Sequence, residues 1–132
     1  MLSAALKKIT EINNALIIDD EIDICMLLKN FLRKKSREVS YSTTLSEGLK
    51  KFQASQPELL ILDHNLPDGH GIDHIRKFKE LSGLSKVYII VISAMSNMRS
   101  KALENGADLF MEKPISFSKL NDALVSKHIR KE

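Results

Sequence analysis

Three short apolar runs, each ending on a polar residue, punctuate the chain. They are Ala15-Leu16-Ile17-Ile18 before Asp19-Asp20-Glu21, Leu59-Leu60-Ile61-Leu62 before Asp63, and residues 87–92 before Ser93-Ala94. A continuous apolar run of this length, bounded by turn signals, fits a strand buried on both faces in the middle of a parallel sheet. Between these runs the period changes. Ile24, Leu27 or Leu28, and Phe31 or Leu32 recur at helical spacing, with Arg33-Lys34-Lys35 at the end where cations suit the helix dipole. Residues 38–43 alternate in the manner of an edge strand. Ser46 is placed to cap a helix running to about Gln53, and Pro57 stops its continuation. Ile72, Ile75, Phe78 and Leu81 form another helix face, ended by Ser82-Gly83. A helix over about 97–105 stops at Gly106, a residue suited to a left-handed cap. Residues 108–112 read as a short strand, and Phe117, Leu120, Leu124 and Val125 mark a last helix.

Five strands alternating with five helices imply an α/β fold: a five-stranded parallel sheet, doubly wound, with helices on both faces and right-handed crossovers. Ahead of it, Leu2, Leu6, Ile9 and Ile12 lie at helical spacing among Lys7, Lys8 and Glu11. The pattern therefore divides the chain into a short helical extension, 1–13, and a domain, 14–132. The apolar stripe of the extension has two uses open to it, packing on the domain or on a second copy of the chain.

Composition narrows the class. At 132 residues, 43% hydrophobic and 28% charged, the chain has the size and balance of one ordinary globular domain. Its 20 Lys and Arg against 17 Asp and Glu leave a charge of +3 that is scattered, without interleaved aromatics, which argues against direct nucleic-acid binding. No run has the length of a membrane helix, and no signal-peptide core is present. The single cysteine, Cys25, forms no internal disulfide and reads as a small buried or half-buried residue, so a reducing cytoplasm is the expected compartment. His70 and His74 have the spacing of helical metal ligands, but Gly71 weakens a helix there and no third ligand is near in sequence. His64, His70, His74 and His128 are therefore read as solvated.

The topology changes the meaning of the strand ends. All five C-terminal ends meet at one edge, where open α/β sheets bind ligands. Asp19, Asp20, Asp63, Ser93 and Lys113 come from four strands and converge there, although no three of them are close in sequence. Read alone, Asp19-Asp20 is a helix N-cap pair, Ser93 is turn chemistry, Phe110 is core and Lys113-Pro114 is a loop. Together, three carboxylates repel and must share a proton or bind a cation. An all-oxygen donor set suits Mg²⁺, which shares its shell readily with phosphate. Asp63 is then both ligand and nucleophile, with Lys113 and the Ser93 hydroxyl placed for phosphoryl oxygens.

These residues resemble the receiver domains of two-component response regulators, the CheY-like, flavodoxin-like fold. The resemblance covers about residues 14–130: Asp19-Asp20 after the first strand, Asp63 after the third, Leu66-Pro67 and Gly71 beyond it, Ser93-Ala94 after the fourth, Phe110 in the fifth, and Lys113-Pro114 at its end. It implies that Asp63 takes a phosphoryl group from a phosphohistidine on a sensor histidine kinase or a histidine phosphotransfer protein, the domain catalysing its own phosphorylation and dephosphorylation. It implies Mg²⁺ bound by Asp20 directly, by Asp19 through water, by Asp63 and by the backbone carbonyl of Asn65. Ser93 and Phe110 become a switch pair in which the ring turns inward, Lys113 bridges to the phosphoryl group, and the Lys113-Pro114 bond is cis. The downstream target then docks on the last helix-strand-helix face. Departures from the family pattern are Ser93 for threonine, Phe110 for tyrosine and His70 for aspartate, while Asn65 and Met95 occupy positions that bear on phosphoryl lifetime.

Other classes fit less well. An aspartyl phosphatase wants a second catalytic carboxylate where Asn65 stands, and a nucleotide-binding module wants a glycine-rich turn where Asp19-Asp20-Glu21 stand. A phosphorylation-independent interaction module keeps the fold but leaves the full residue set unexplained. The end at Lys131-Glu132 gives the expectation of a receiver without an output domain, acting alone or as a fragment of a larger regulator.

Overall fold

Strands without a polar face need cover on both sides, and the sheet obtains it from two helical layers. The computed structural model describes residues 12–83 and 86–131, with side chains as far as Ser126. Strands β1 (Ile12–Ile18), β2 (Ser36–Ser42), β3 (Leu59–Asp63), β4 (Tyr88–Ser93) and β5 (Leu109–Glu112) pair in parallel in the order β2-β1-β3-β4-β5. Helices α1 (Ile22–Leu32), α2 (Leu45–Ser55), α3 (Ile75–Ser82), α4 (Arg99–Glu104) and α5 (Phe117–Lys131) connect and follow them. This is the doubly wound architecture that the alternation predicts, in the strand order of the flavodoxin-like fold that the resemblance implies.

Strand side chains alternate between the layers. Leu16, Ile18, Leu60, Leu62, Ile89, Val91 and Phe110 face Phe52 of α2, Ile75 and Phe78 of α3 and Ala102 of α4. Ala15, Ile17, Leu59, Ile61, Ile90, Ile92 and Met111 face Cys25, Leu28 and Leu32 of α1 and Leu120 and Leu124 of α5. Full burial of each such aliphatic side chain is worth about 1.5–3 kcal/mol, so the central strands are the rigid part of the molecule. Strand order reverses at β1, whose neighbours are β2 and β3, and the crevice above β1 and β3 is where the sheet opens to a ligand.

Several boundaries differ from the pattern. Strand β1 begins at Ile12, assigned above to the extension: Ile12 is fully buried and its N–H bonds Lys35 O. Asn13 and Asn14 do not break the strand because their polar groups have partners. Asn13 N–H donates to Glu58 Oε1 at 3.2 Å and Asn14 Nδ2 to Ser55 O at 2.8 Å. Apart from Ile12, the helix expected over residues 2–12 lies outside the described residues. Strand β2 starts two residues earlier than its alternation suggests, at Ser36. The helix expected over 97–105 splits into a 3₁₀ turn, Ser96–Met98, and α4. Beyond β3, Asn65–Leu66 pairs antiparallel with Gly69–His70 in a two-residue ladder that leads into a 3₁₀ turn at Gly71–His74.

Thr44, not Ser46, caps α2: its hydroxyl accepts from Glu47 N–H at 3.2 Å, three residues on. A second group completes this cap from the loop after β3, since Asp68 Oδ1 and Oδ2 accept from Leu45 N–H at 2.8 Å and Ser46 N–H at 2.9 Å. These two backbone bonds hold the Asp68 carboxyl below the usual carboxylate range. The contribution of Asp68 is thus present above the ordinary Asp pKa and is lost as pH falls through its depressed value. Thr44→Ala and Asp68→Asn are each expected to cost about 0.5–2 kcal/mol by urea denaturation at pH 7. For Asp68→Asn the difference from wild type is expected to shrink toward pH 3; a difference constant with pH would contradict the bonding described.

Candidate functional site

The register sets the site. Ile18 pairs with Leu62, Asp63 with Ile92, and Ser93 with Glu112, so the residues that follow these pairs rise together from the edge of the sheet. Asp63, the last residue of β3, is 4% exposed, and Asp19, the first beyond β1, is fully buried. Lys113 leaves β5 with its N–H on Ser93 O at 2.9 Å, a bond that ties the ends of β4 and β5 together. The Lys113-Pro114 peptide is cis.

Lys113 Nζ lies 3.0 Å from Asp19 Oδ2, 3.0 Å from Glu21 Oε1 and 3.5 Å from Asp63 Oδ2. Asp19 Oδ1 accepts from Glu21 N–H at 2.8 Å. The N-cap reading of the acidic pair does not hold, because Glu21 occupies the cap position of α1 and makes no side-chain cap bond. Asp19 and Glu21 are instead turned to the Lys113 ammonium, with the Asp20 carboxylate close to both.

Electrostatics follow from burial and crowding. Desolvation, reinforced by the negative charges of Asp19 and Asp20, pushes the Asp63 carboxyl up to about 7 even though Lys113 opposes the rise. Desolvation also raises Asp19, against the bond from Glu21 N–H and the nearby positive charge of Lys113. For Lys113, burial works to lower the pKa, but the pairs with Asp19, Glu21 and Asp63 outweigh it and hold the ammonium above its ordinary value. Asp19 Oδ2 is buried, and although the ammonium is in ion-pair range it receives no aligned hydrogen bond. An oxygen with a spare lone pair, beside further carboxylates, is what a hard divalent cation takes as a ligand. Asp19, Asp20 and Glu21 present carboxylate oxygens within 4.8 Å of one another, the one such group of three among the described residues.

The remaining expected residues stand nearby in different roles. Ser93 is buried, and its hydroxyl accepts from Met95 N–H at 3.0 Å. The Asn65 amide reaches toward Met95 Sδ at 3.9 Å. Phe110 is buried in the α2-α3-α4 layer, with the Arg99 guanidinium 5.0 Å from its ring centroid and Arg99 Nη1 donating to Phe110 O at 3.3 Å. Gly71 passes so close to the end of β3 that an added Cβ would sit 2.2 Å from Asp63 O, which explains glycine there without any special φ.

The histidine reading needs one correction. His64 is buried, not solvated; its Nδ1 accepts from Ile72 N–H and its ring stacks on His70 at 4.9 Å. Burial, then the neighbouring His70, lowers its pKa. His74 Nδ1 contacts His70 O at 3.0 Å, so the four-residue spacing serves a turn. The His128 side chain lies outside the described residues. Cys25 is buried, as expected, with its thiol on Asp19 O.

Three contributors were not singled out from sequence. Glu21 had a signal, being the third acid in a row after β1. Asp68 and Arg99 had none, because nothing local shows that one reaches the start of α2 and the other covers a ring of β5.

The model of the response regulator receiver domain matches residues 15–125. The chain belongs to this family. Among curated relatives, the receiver is 33% identical over 112 residues to the chemotaxis protein CheY of Thermotoga maritima, covering 83% of this chain and 92% of that one. It is 38% identical over 113 residues to the KDP operon transcriptional regulatory protein KdpE of Escherichia coli, covering 84% of this chain but 49% of that protein, so it spans about half the length of that relative. A two-component response regulator structure from Clostridium difficile superposes with a TM-score of 0.78 at 26% identity, over 89% of this chain and 96% of that one. Receiver domains generally bind Mg²⁺ at an acidic cluster, and this chain presents an acidic group in Asp19, Asp20 and Glu21.

The raised Asp63 carboxyl predicts a pH signature. The unfolded chain releases this proton near the ordinary Asp value, whereas the folded receiver keeps it to about pH 7. In that window the native state holds the extra proton, so Asp63 costs stability as pH rises, and the cost is complete above the folded pKa. With chelator present, Asp63→Asn is expected to match wild type in stability near pH 4 and exceed it by at least about 1 kcal/mol at pH 8, the value of one pKa unit. A difference that does not grow with pH in thermal or denaturant unfolding would contradict this.

Proposed function

We propose that this receiver accepts a phosphoryl group on Asp63 from a phosphohistidine of a sensor histidine kinase or a histidine phosphotransfer protein. A carboxylate oxygen of Asp63 bonds to phosphorus as the P–N bond breaks, and the departing imidazole regains its proton from solvent. Hydrolysis of the acyl phosphate restores the carboxylate and releases inorganic phosphate. The observation that carries this reading is the placement of the Lys113 ammonium between Asp19 and Asp63, at 3.0 and 3.5 Å, inside the switch-point crevice. A cation held against an acceptor carboxylate is suited to the oxygens of an incoming phosphoryl group.

Asp19, Asp20, Asp63 and the backbone carbonyl of Asn65 are the groups that would hold Mg²⁺. When bound, the ion supplies neutralisation of carboxylate and phosphoryl charge. Ser93 would donate its hydroxyl proton to a phosphoryl oxygen. Ser93 and Phe110 are the proposed switch pair; the Phe110 ring is buried, with the Arg99 guanidinium over it. The proposed target face is the last helix-strand-helix face, α4-β5-α5, where a cleft of about 470 Å³ is lined by Arg99, Phe110, Met111, Pro114, Lys119 and Ala123. A cytoplasmic receiver without direct nucleic-acid contact, with self-association through the first residues as an option, completes the reading. No helix among the described residues is long and apolar enough to cross a membrane.

Incubation with Mg²⁺ and acetyl phosphate, followed by intact mass, tests the central step. The expected result is the gain of one phosphoryl group that requires Mg²⁺ and is absent in Asp63→Asn. A wild-type protein that gains nothing from acetyl phosphate or from phosphorylated kinases, and does not bind beryllofluoride, would overturn the proposal in favour of phosphorylation-independent binding.

A further inference from the structure

The ion pairs of Lys113 are unequal, and the inequality involves a residue outside the expected site. Asp63, the proposed acceptor, is the farthest of the three carboxylates at 3.5 Å, while Glu21 is at 3.0 Å and also accepts a hydrogen bond from the ammonium. Glu21 differs from Asp19 in freedom: its side chain is 61% exposed, whereas that of Asp19 is fully buried. It sits at the cap position of α1, yet its carboxylate leaves the helix N-terminus without a side-chain bond and turns to a lysine 92 residues along the chain. A cap acid is stabilising where it stands, so its use elsewhere has to be explained by what it gains.

An ammonium has three protons, and its three carboxylate neighbours already surround it. A phosphoryl group on Asp63 brings further oxygens that compete for the same protons. Asp19 is held in place by burial and by Glu21 N–H. The exposed Glu21 is the partner that can be released to water at the least cost.

We propose that Glu21 is a positioning residue that holds Lys113 back from Asp63 in the unphosphorylated receiver and gives it up when a phosphoryl group arrives. The inference rests on the phosphoacceptor reading of Asp63. Glu21 thereby raises the threshold for capturing the phosphoryl group. The pair is half-open to solvent, so its influence is modest, about two- to fivefold in an equilibrium.

The test is the affinity for beryllofluoride, a phosphoryl mimic, at saturating Mg²⁺, in wild type, Glu21→Gln and Asp23→Asn. Asp23→Asn makes the same charge change in the first turn of α1, so it measures the general effect of removing a negative charge near an anion site. The assignment predicts that Glu21→Gln tightens beryllofluoride binding about two- to fivefold and Asp23→Asn clearly less. It further predicts that the Lys113 side-chain ¹⁵N resonance of the ligand-free protein moves in Glu21→Gln and not in Asp23→Asn. Equal effects of the two substitutions, or weaker binding in Glu21→Gln, would overturn the assignment while leaving Asp63 as acceptor. Wild-type protein that binds no beryllofluoride would overturn both. Melting temperatures of the three proteins verify that folding is not the variable.

Discussion

The burial of two carboxylates against one ammonium, at the edge of an apolar sheet, is the constraint around which the molecule is arranged. Charges taken out of water cost several kcal/mol each, and pairing recovers this only when geometry and hydrogen bonds are good. Here recovery is incomplete: Asp63 is driven up to about 7 and Asp19 Oδ2 receives no aligned hydrogen bond. The site is therefore a locally unfavourable arrangement carried by the two packed layers beneath it, in which the aliphatic side chains of β1, β3 and β4 are almost completely excluded from solvent. Such a place gains from anything that brings positive charge or removes repulsion, and a divalent cation does so.

Rigidity around the site has identifiable sources. Asp68 joins the loop beyond Asp63 to the first turn of α2, and Gly71 lets that loop cross directly over the Asp63 carbonyl. His64, buried beside them, bonds Ile72 N–H and stacks on His70. On the other side, the Lys113 N–H to Ser93 O bond links two strand ends. Asp63, Lys113 and Ser93 are thus fixed by backbone contacts, whereas Glu21 and Asp20 remain open to water.

The fold was legible because burial on both faces leaves a continuous apolar run, a signal that survives in β1, β3 and β4 without any knowledge of neighbours. Convergence of Asp19, Asp63, Ser93 and Lys113 was legible for the same reason, since parallel strands must bring their C-terminal ends together. What failed was information carried by partners distant in sequence. Ile12 and the two asparagines after it look like a break until Lys35, Glu58 and Ser55 supply their hydrogen bonds. Glu21 meets Lys113 only from the other end of the chain, and Arg99 meets Phe110 only across the fold. His64 was misread because stacking and burial of one imidazole leave no periodicity to detect.

The account's central claim is that burial, reinforced by crowding, sets the state of the Asp63 carboxyl, and that a cation relieves it. A ¹³C carboxyl NMR titration of Asp63 with and without Mg²⁺ tests this directly. The account predicts a midpoint near 7 without the ion and a marked fall toward or below the ordinary carboxylate range when Mg²⁺ is saturating. An ordinary midpoint of about 4 in both conditions would show that the carboxylates are neither desolvated nor in competition, and would contradict it.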